Sequence, residues 1–347
     1  MVLKIRNIKI ILFLLAFLMV FDTNASIVLL KDSAQSGKVN YLPVINGTIR
    51  GKYEYQYTEG LSRFQMRNAR VSLKGNVSNI IDYKAEIDLC DRGKIKMLDA
   101  YGRIHWKNIG YLTMGQMRVP FGTAVFRGPH LLMLSNRSFI SKQIANVRDV
   151  GVRLSYAPTN LPLKIEAGAF NGSGLTRQNE WHSEFAFAAR ANLNLNGVNF
   201  AVSGMSLYPQ DIRINLFDTS LSWTYDRVFL EGEYIYKHYT NNAFDDVHAY
   251  HIVGQYKLPI KKYLKHLAFT GRFDAMTDNS TGYKNSEGLL QVDDCEKKRI
   301  TAGITLTPAL NIRTEVRVNY EIYFYDDISF ANESEMDKLV LELMIRF

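Results

Sequence analysis

The sequence predicts an all-β protein, a transmembrane antiparallel β-barrel of about sixteen strands. Three observations lead to this fold class. Apolar and polar residues alternate with a period of two along most of the chain, and no long segment repeats every 3.6 residues. The connections between the predicted strands are alternately short and long. The 20 Tyr and 19 Phe, against 3 Trp, agree with a strand-rich chain.

The composition excludes several other classes of protein. With 347 residues, 47% of them hydrophobic and only 2 of them Cys, the chain is too apolar for disorder and too poor in cysteine for a disulfide scaffold. A mean hydropathy of -0.14 disagrees with a bundle of membrane helices. The formal net charge of +8 is compatible with an anionic partner.

The first 25 residues are predicted to form a signal peptide. Lys4, Arg6 and Lys9 precede an apolar run at 10–21, and small residues at 23–25 offer a cleavage site. The run is short for a membrane span, so an N-terminal anchor is the less favoured alternative. Export argues against a nucleic-acid partner. The expected domains are a signal peptide at 1–25, a periplasmic lead-in at 26–46 and the barrel at 47–347.

Individual strands show the alternation clearly. Every odd position in 81–90 is apolar while most even positions are charged, and the same separation of faces recurs in 311–324. Strands of about ten residues are longer than most soluble strands and suit a tilted membrane crossing. The predicted strands are 47–58, 64–77, 80–90, 96–107, 110–118, 150–156, 163–171, 183–195, 198–207, 216–225, 227–238, 246–258, 266–274, 298–307, 311–324 and 337–347.

The lengths of the connections assign the two rims of the barrel. Short turns follow the even-numbered strands, with 259–265 as an exception, whereas longer loops follow most odd-numbered strands. Outer-membrane barrels have this arrangement, with short periplasmic turns and long outer loops. The predicted longer loops are 91–95, 119–149, 172–182, 239–245 and 275–297. A soluble β-sandwich also alternates, but long strands and export favour the barrel.

The last strand carries a specific signal. Between 337 and 347 the odd positions from Leu339 onward are apolar, and the chain ends on the aromatic Phe347. This end resembles the C-terminal signature that the outer-membrane barrel assembly machinery recognises, so that machinery is an expected partner. Pairing of this strand with the first strand would remove an open sheet edge.

The segment Met-Gly-Gln-Met-Arg-Val-Pro-Phe-Gly at 114–122 resembles the G-Q-x-x-x-P-F-G stretch of the phosphate-selective porin O and P family. Further similar segments occur in the same order at 98–101, 148–152, 154–157 and 168–174. The resemblance implies a sixteen-stranded outer-membrane porin, usually a homotrimer, whose long third outer loop folds into the lumen and lines the constriction. No cofactor is expected.

The predicted third outer loop, 119–149, is almost free of acidic residues. Cations at a constriction would favour the passage of anions, and arginine suits phosphate and carboxylate through its paired donors. The alternative is that these bases lie on the solvated outer surface, where they contact lipopolysaccharide or nothing. The candidate pore and anion-binding residues are Arg118, Arg127, Arg137, Lys142, Arg148 and Arg153.

The predicted function is passive diffusion of small hydrophilic solutes, with a preference for phosphate-like anions. Acidic residues interleave with bases on the inward strand faces, so wall pairs are expected and an unbroken arginine ladder is not visible. A structural or adhesive barrel with a plugged lumen is the alternative.

No catalytic or metal site is predicted. His248 and His251 are three residues apart and should lie on opposite faces of a strand. The acidic pair Asp293 and Asp294 favours a solvated outer loop over a cation site. Whether Cys90 and Cys295 form a disulfide is left open, because sequence supplies no geometry.

Overall fold

The computed structural model describes residues 41–106, 109–145, 147–175, 178–260 and 262–347. The predicted signal peptide and most of the predicted lead-in lie outside these residues. The first strand begins at Val44, slightly before the predicted start of the barrel at residue 47.

Sixteen antiparallel strands form one closed barrel, in which each strand pairs with its neighbours in sequence and β1 pairs with β16. The prediction of sixteen strands is confirmed, with every boundary within three residues. The strands are β1 (Val44–Gln56), β2 (Leu61–Asn76), β3 (Ile81–Asp91), β4 (Lys94–Trp106), β5 (Gly110–Arg118), β6 (Arg148–Tyr156), β7 (Leu163–Phe170), β8 (Ala186–Leu195), β9 (Val198–Leu207), β10 (Ile214–Tyr225), β11 (Val228–Tyr239), β12 (Val247–Pro259), β13 (Leu264–Met276), β14 (Lys297–Pro308), β15 (Arg313–Tyr325) and β16 (Lys338–Arg346).

The helices of the described residues are short and lie in the connections. Three of them belong to the connection between β5 and β6, which we call L3 (residues 119–147): Ala124–Phe126, Pro129–Leu131 and Ile140–Ile144. The others are Thr240–Asn242, Ile328–Phe330 and Glu333–Glu335. None of the helices in the described ranges is long and apolar enough to cross a membrane.

The connections follow the predicted division into short turns and long loops, with one correction. The predicted longer loop at 91–95 is wrong, because β3 and β4 are joined by the two-residue turn Arg92-Gly93. Both residues have positive φ, 55° and 84° respectively, which matches the twist of a tight hairpin. Asn196 and Gly197 join β8 and β9 in the same way, with φ of 44° and 87°.

Most of the barrel shows apolar side chains outside and polar side chains inside. In β16, Leu341 and Leu343 are exposed on the outer surface, whereas Lys338 and Glu342 are buried on the inner side. A continuous apolar exterior is what a strand needs in order to face lipid. The faces predicted for the last strand are therefore confirmed.

Closure of the barrel depends on a close fit between Gly47 and Phe347. Their backbones exchange two hydrogen bonds, of 2.8 and 3.1 Å, which extend the pairing of β1 with β16. The Phe347 ring covers Gly47 so closely that an added Cβ would lie 2.2 Å from it. A side chain at residue 47 would therefore displace the C-terminal aromatic ring, and such cover by a ring is known to stabilise strand glycines.

A buried ion triad also spans the closure. Glu342 of β16 is fully buried between Arg50 of β1 and Arg317 of β15, and it pairs with both. The Arg317 Nη1 to Glu342 Oε1 distance is 2.6 Å. Without this carboxylate, Arg50 would lose the anion that compensates its buried charge, and Arg317 would be left with its second partner, Glu315.

We expect Glu342→Leu to lower the free energy of unfolding by about 3–5 kcal/mol, because it leaves two buried guanidiniums without their shared anion. Denaturant-induced unfolding of the barrel in lipid vesicles measures this change. The control is Glu296→Leu, since Glu296 pairs with Lys298 at an exposed site. Equal unfolding midpoints for the two variants would contradict the role given to the triad.

Candidate functional site in the lumen

L3 lies inside the barrel, as its hydrogen bonds to inward-pointing side chains show. Ser135 N donates to Asn319 Oδ1 of β15 at 2.7 Å, and Phe139 N donates to Asp274 Oδ1 of β13 at 3.0 Å. On the other side, Arg190 of β8 donates from Nε to the Gly122 carbonyl at 3.0 Å. Because these strands lie on different arcs of a closed barrel, L3 crosses the lumen.

The Pro-Phe-Gly sequence at the start of L3 turns the chain inward. Gly122 has a φ of 77°, and a Cβ there would lie 2.9 Å from the Ala145 side chain, so only glycine fits. Directly after it, the backbone N–H groups of Thr123 and Ala124 donate to the two carboxylate oxygens of Glu233, at 2.7 and 3.0 Å. The motif therefore docks the start of L3 onto β11.

One face of L3 is apolar and packs against an apolar arc of the inner wall. Phe121, Val125, Phe139, Ile140 and Ile144 of L3 are buried in one hydrophobic cluster with this arc. Each such side chain contributes roughly 1.5–3 kcal/mol when fully buried. The wall residues of the cluster include Phe170, Ala186, Ala188, Met205, Ile214, Leu216, Ile235, Val247, Ala249 and Met276.

This apolar arc is an exception to the general pattern of apolar side chains outside and polar side chains inside. Over β7–β13 the upper inner wall is apolar because its neighbour is the apolar face of L3 instead of water. A strand that is apolar on both faces suits lipid on one side and packed protein on the other.

The hydrogen bonds of L3 indicate which side of the lumen is the candidate for a passage. The hydrogen bonds of L3 reach side chains on β1, β8–β11 and β13–β16. The inner faces of β2–β6 lie across the lumen from these contacts. We therefore place the candidate site between L3 and β2–β6.

The wall of this passage carries paired charges. The expectation that bases and acids pair across strands is confirmed here, and each pair partly cancels the field of its members. The pairs include Arg70 with Asp88 at 2.9 Å, Lys84 with Glu86 at 2.6 Å and with Asp99, Arg148 with Asp99 at 2.8 Å, and Arg153 with Glu166 at 3.4 Å.

Two of the predicted pore residues hold L3 in place. Arg127 donates through both terminal nitrogens to the carboxylate of Glu231, with Nη1 to Oε1 at 2.6 Å. Lys142 pairs with Glu335 in the connection between β15 and β16. Both bases therefore serve as anchors of the loop to its surroundings.

Three other predicted residues, Arg118, Arg137 and Arg148, meet where L3 leaves the wall. Arg118 lies opposite Arg148 in the pairing of β5 with β6. Arg137 donates to the carbonyls of Ala124 and Val125 in L3, at 3.3 and 3.4 Å. The sixth, Arg153, donates to the Arg118 carbonyl at 3.3 Å and pairs with Glu166 lower on the wall.

The electrostatic surroundings of Arg137 show a region of positive potential. Burial and then the charges of Arg118, Arg70, Arg50 and Arg148 lower the pKa of Arg137 well below its usual value. A guanidinium stays protonated in proteins, so Arg137 is a largely desolvated cation that lies among other cations. An anion entering this region would relieve the repulsion among these cations.

Sequence reasoning missed a second group on L3's anchoring side: Glu231, Glu233 and His251. Their potential ligand atoms lie within 4.8 Å of one another, and two carboxylates with an imidazole could hold a metal ion. However, Arg127 and the two backbone N–H groups already engage the carboxylate oxygens. The group is therefore better described as the anchor of L3.

The two histidines face opposite ways, as predicted. His251 is buried in the lumen beside Glu231, with Nε2 to Oε1 at 3.2 Å. His248 lies outside and shares a 2.7 Å hydrogen bond with the Tyr234 hydroxyl. Both cysteines are free thiols, which answers the question that the sequence left open about Cys90 and Cys295.

The far end of L3 is held by a carboxylate between two lysines. Glu335 is buried and pairs with Lys142 of L3 and with Lys297, whose Nζ lies 2.9 Å from Oε2. Burial would raise the pKa of Glu335, but the charges of Lys142 and Lys297 outweigh it and lower the pKa to about 2. The lowered pKa means that folding stabilises the ionised form.

We expect acid to weaken this contact in a defined pH range. The contribution of Glu335 to stability is complete above its unfolded pKa of about 4.3. It is lost as the pH falls toward about 2. Thermal unfolding of the detergent-solubilised barrel should show a smaller loss of stability over this range in Glu335→Gln than in the wild type.

The matched control is Glu333→Gln, since Glu333 is exposed two residues away. This variant should keep the acid response of the wild type. A wild-type response retained in Glu335→Gln would assign the acid sensitivity to other carboxylates.

Comparison with solved structures supports the fold. The anion-selective porin from Comamonas acidovorans aligns with a TM-score of 0.60 at 10% identity, covering 88% of this chain and 98% of that one. The outer membrane channel DcaP of Acinetobacter baumannii aligns with a TM-score of 0.58 at 14% identity, covering 88% and 97%. The trimer form of OmpT from Vibrio cholerae gives 0.57 at 10% identity, covering 88% and 98%.

Comparison with protein-family profiles identifies the family of this chain. No curated protein sequence matches the chain significantly. The profile of the family described as phosphate-selective porin O and P matches residues 51–227, which is half of the 347-residue chain and includes the Pro-Phe-Gly turn of L3. The chain therefore belongs to the phosphate-selective porin O and P family, whose members are outer-membrane channel proteins.

Proposed function

We propose that the protein is a passive channel of the outer membrane that conducts small hydrophilic solutes and prefers anions. The proposed route runs between L3 and the inner faces of β2–β6. The observation that carries this proposal is the group of arginines around Arg137, whose pKa is lowered by burial and then by the charges of these neighbours. The similarity in fold to an anion-selective porin from Comamonas acidovorans is consistent with it.

The six candidate residues have different proposed roles. Arg118, Arg137 and Arg148 provide the positive potential at the constriction, and Arg153 extends it along the wall. Arg127 and Lys142 act by fixing L3, because each is engaged by a carboxylate away from the β2–β6 wall.

The pairing of wall charges argues for a modest preference among anions. Arg148 and Lys84 share the carboxylate of Asp99, so part of their field is neutralised. A narrow phosphate-binding site would need several cations converging without acidic neighbours. We therefore propose preference by charge over strict selection of phosphate. A plugged structural or adhesive barrel remains the alternative, and it predicts negligible conductance in planar bilayers.

We expect Arg118→Gln and Arg148→Gln each to lower the chloride-to-potassium permeability ratio by roughly two- to fivefold, since one charge at short range in water is worth about 1 kcal/mol. Reversal potentials in a salt gradient across a planar bilayer measure the ratio. Lys298→Gln is the control, because Lys298 is half exposed at the outer rim. A cation-selective wild type would refute the anion preference, and unchanged ratios in both variants would place the selective charges elsewhere.

We also propose a homotrimer, since the similar OmpT of Vibrio cholerae has a trimer form. Sedimentation in a density-matched detergent should give a protein mass of about three chains. A mass of one chain under conditions that keep the barrel folded would contradict this assembly.

The remaining partners are proposed from the sequence. Residues 1–25 would direct export and then be removed, and insertion would depend on recognition of the terminal Phe347 by the barrel assembly machinery. Phe347 is exposed in the folded barrel. Membrane lipid would contact the apolar exterior, and lipopolysaccharide would contact its outer part.

A further inference from the structure

L3 presents an aromatic ring to the lumen. Phe126 is 37% exposed, although most of the apolar side chains around it are buried. Its ring centroid lies 5.1 Å from the guanidinium carbon of Arg190 and 6.0 Å from that of Arg118. A partly exposed phenyl ring between two cations offers a solute an apolar surface and positive charge side by side.

The position of this ring is fixed by its neighbours. Phe126 closes a short helical turn by donating from its N–H to the Thr123 carbonyl at 3.1 Å. Thr123, which precedes Phe126 by three residues, is held by Glu233, and Arg127, which follows it directly, is held by Glu231. The ring and the neighbouring guanidiniums therefore form a preorganised surface.

A second group of rings and cations lies nearer the periplasmic turn between β4 and β5. The guanidinium of Arg103 lies 4.6 Å from the Tyr111 ring and 5.2 Å from the Tyr101 ring. Lys164 approaches the same Tyr111 ring at 5.8 Å. The wall thus repeats the combination of cation and aromatic ring along the passage.

We propose that the passage binds small carboxylates that carry an aromatic ring. The main subsite is the surface formed by Phe126 and Arg118 at the start of L3, and Arg190, which also donates to the Gly122 carbonyl, borders it. This inference rests on the proposed anion channel and names the class of solute that it favours. The carboxylate would be attracted by the guanidiniums while the planar ring of the solute packs against Phe126. Inorganic phosphate could bind to the guanidiniums but has no ring that could pack against Phe126.

The test compares benzoate with cyclohexanecarboxylate, which has the same charge and similar size but no aromatic ring. Each is titrated as a blocker of chloride current through the reconstituted wild-type channel. Benzoate should reach half-block at a concentration roughly two- to fivefold lower, as expected for one aromatic pair. In Phe126→Leu the two blockers should become equivalent, and Phe126→Tyr should restore the difference.

Leu131→Ala is the matched control, since Leu131 is another exposed apolar side chain of L3. It should retain the preference for benzoate. Equal block by the two acids in the wild type, or a preference that survives in Phe126→Leu, would overturn the proposal.

Failure of the underlying channel function gives a different result. The chloride-to-potassium permeability ratio of Phe126→Leu should equal that of the wild type, because no charge changes. A wild type without anion preference would refute the proposed channel selectivity. Equal block by the two acids in an anion-selective wild type would refute only the aromatic subsite.

Discussion

The packing of L3 against an apolar arc of the inner wall is the contact on which the lumen depends. Phe121, Phe139 and Ile140 are buried in a place where a barrel of this size would otherwise hold water. Burial at roughly 1.5–3 kcal/mol per side chain makes the inward path of L3 favourable before any charge is considered. The passage lies where it does because this packing occupies the other side.

Charged side chains add further contacts to the apolar packing of L3. The carboxylates that face L3, such as Glu233 and Asp274, accept hydrogen bonds from its backbone N–H groups. Buried carboxylates need such partners, since an unpaired buried charge is costly. Across the passage, Asp99 is instead shared between wall cations. The acids therefore serve two structural purposes, and the cationic field that remains is concentrated around Arg137.

The strands could be predicted because each crossing imposes the same two-residue period on the sequence. The inward turn of L3 was implied only by resemblance, although Gly122 now explains the Pro-Phe-Gly motif through its backbone conformation. The loop predicted at 91–95 failed because Arg92 gives no sign of the positive φ that a tight turn requires. The residue types at 91–95 did not indicate a two-residue turn.

The apolar arc can be recognised in the sequence as a strand that is apolar on both faces, although a search for alternating residues overlooks it. From Ala186 to Ala189 the chain is apolar on both faces, which fits lipid on one side and L3 on the other. The anchor group was harder to recognise, because Glu231 and His251 are distant in sequence and meet only through the pairing of β11 with β12. Phe126 gave no signal at all, since its exposure depends on the path of L3.

The distribution of anchors around the wall explains how L3 can set selectivity. Its start is tied to Glu233, its middle to Asn319 and its far end to Glu335. Swinging L3 out of the lumen would break these contacts together and expose its apolar face to water. Because these contacts would be lost together with the burial of side chains such as Phe121 and Phe139, a displaced loop would be rarely populated. The ring and guanidiniums that face the passage are therefore fixed groups, and solutes are discriminated by a static surface.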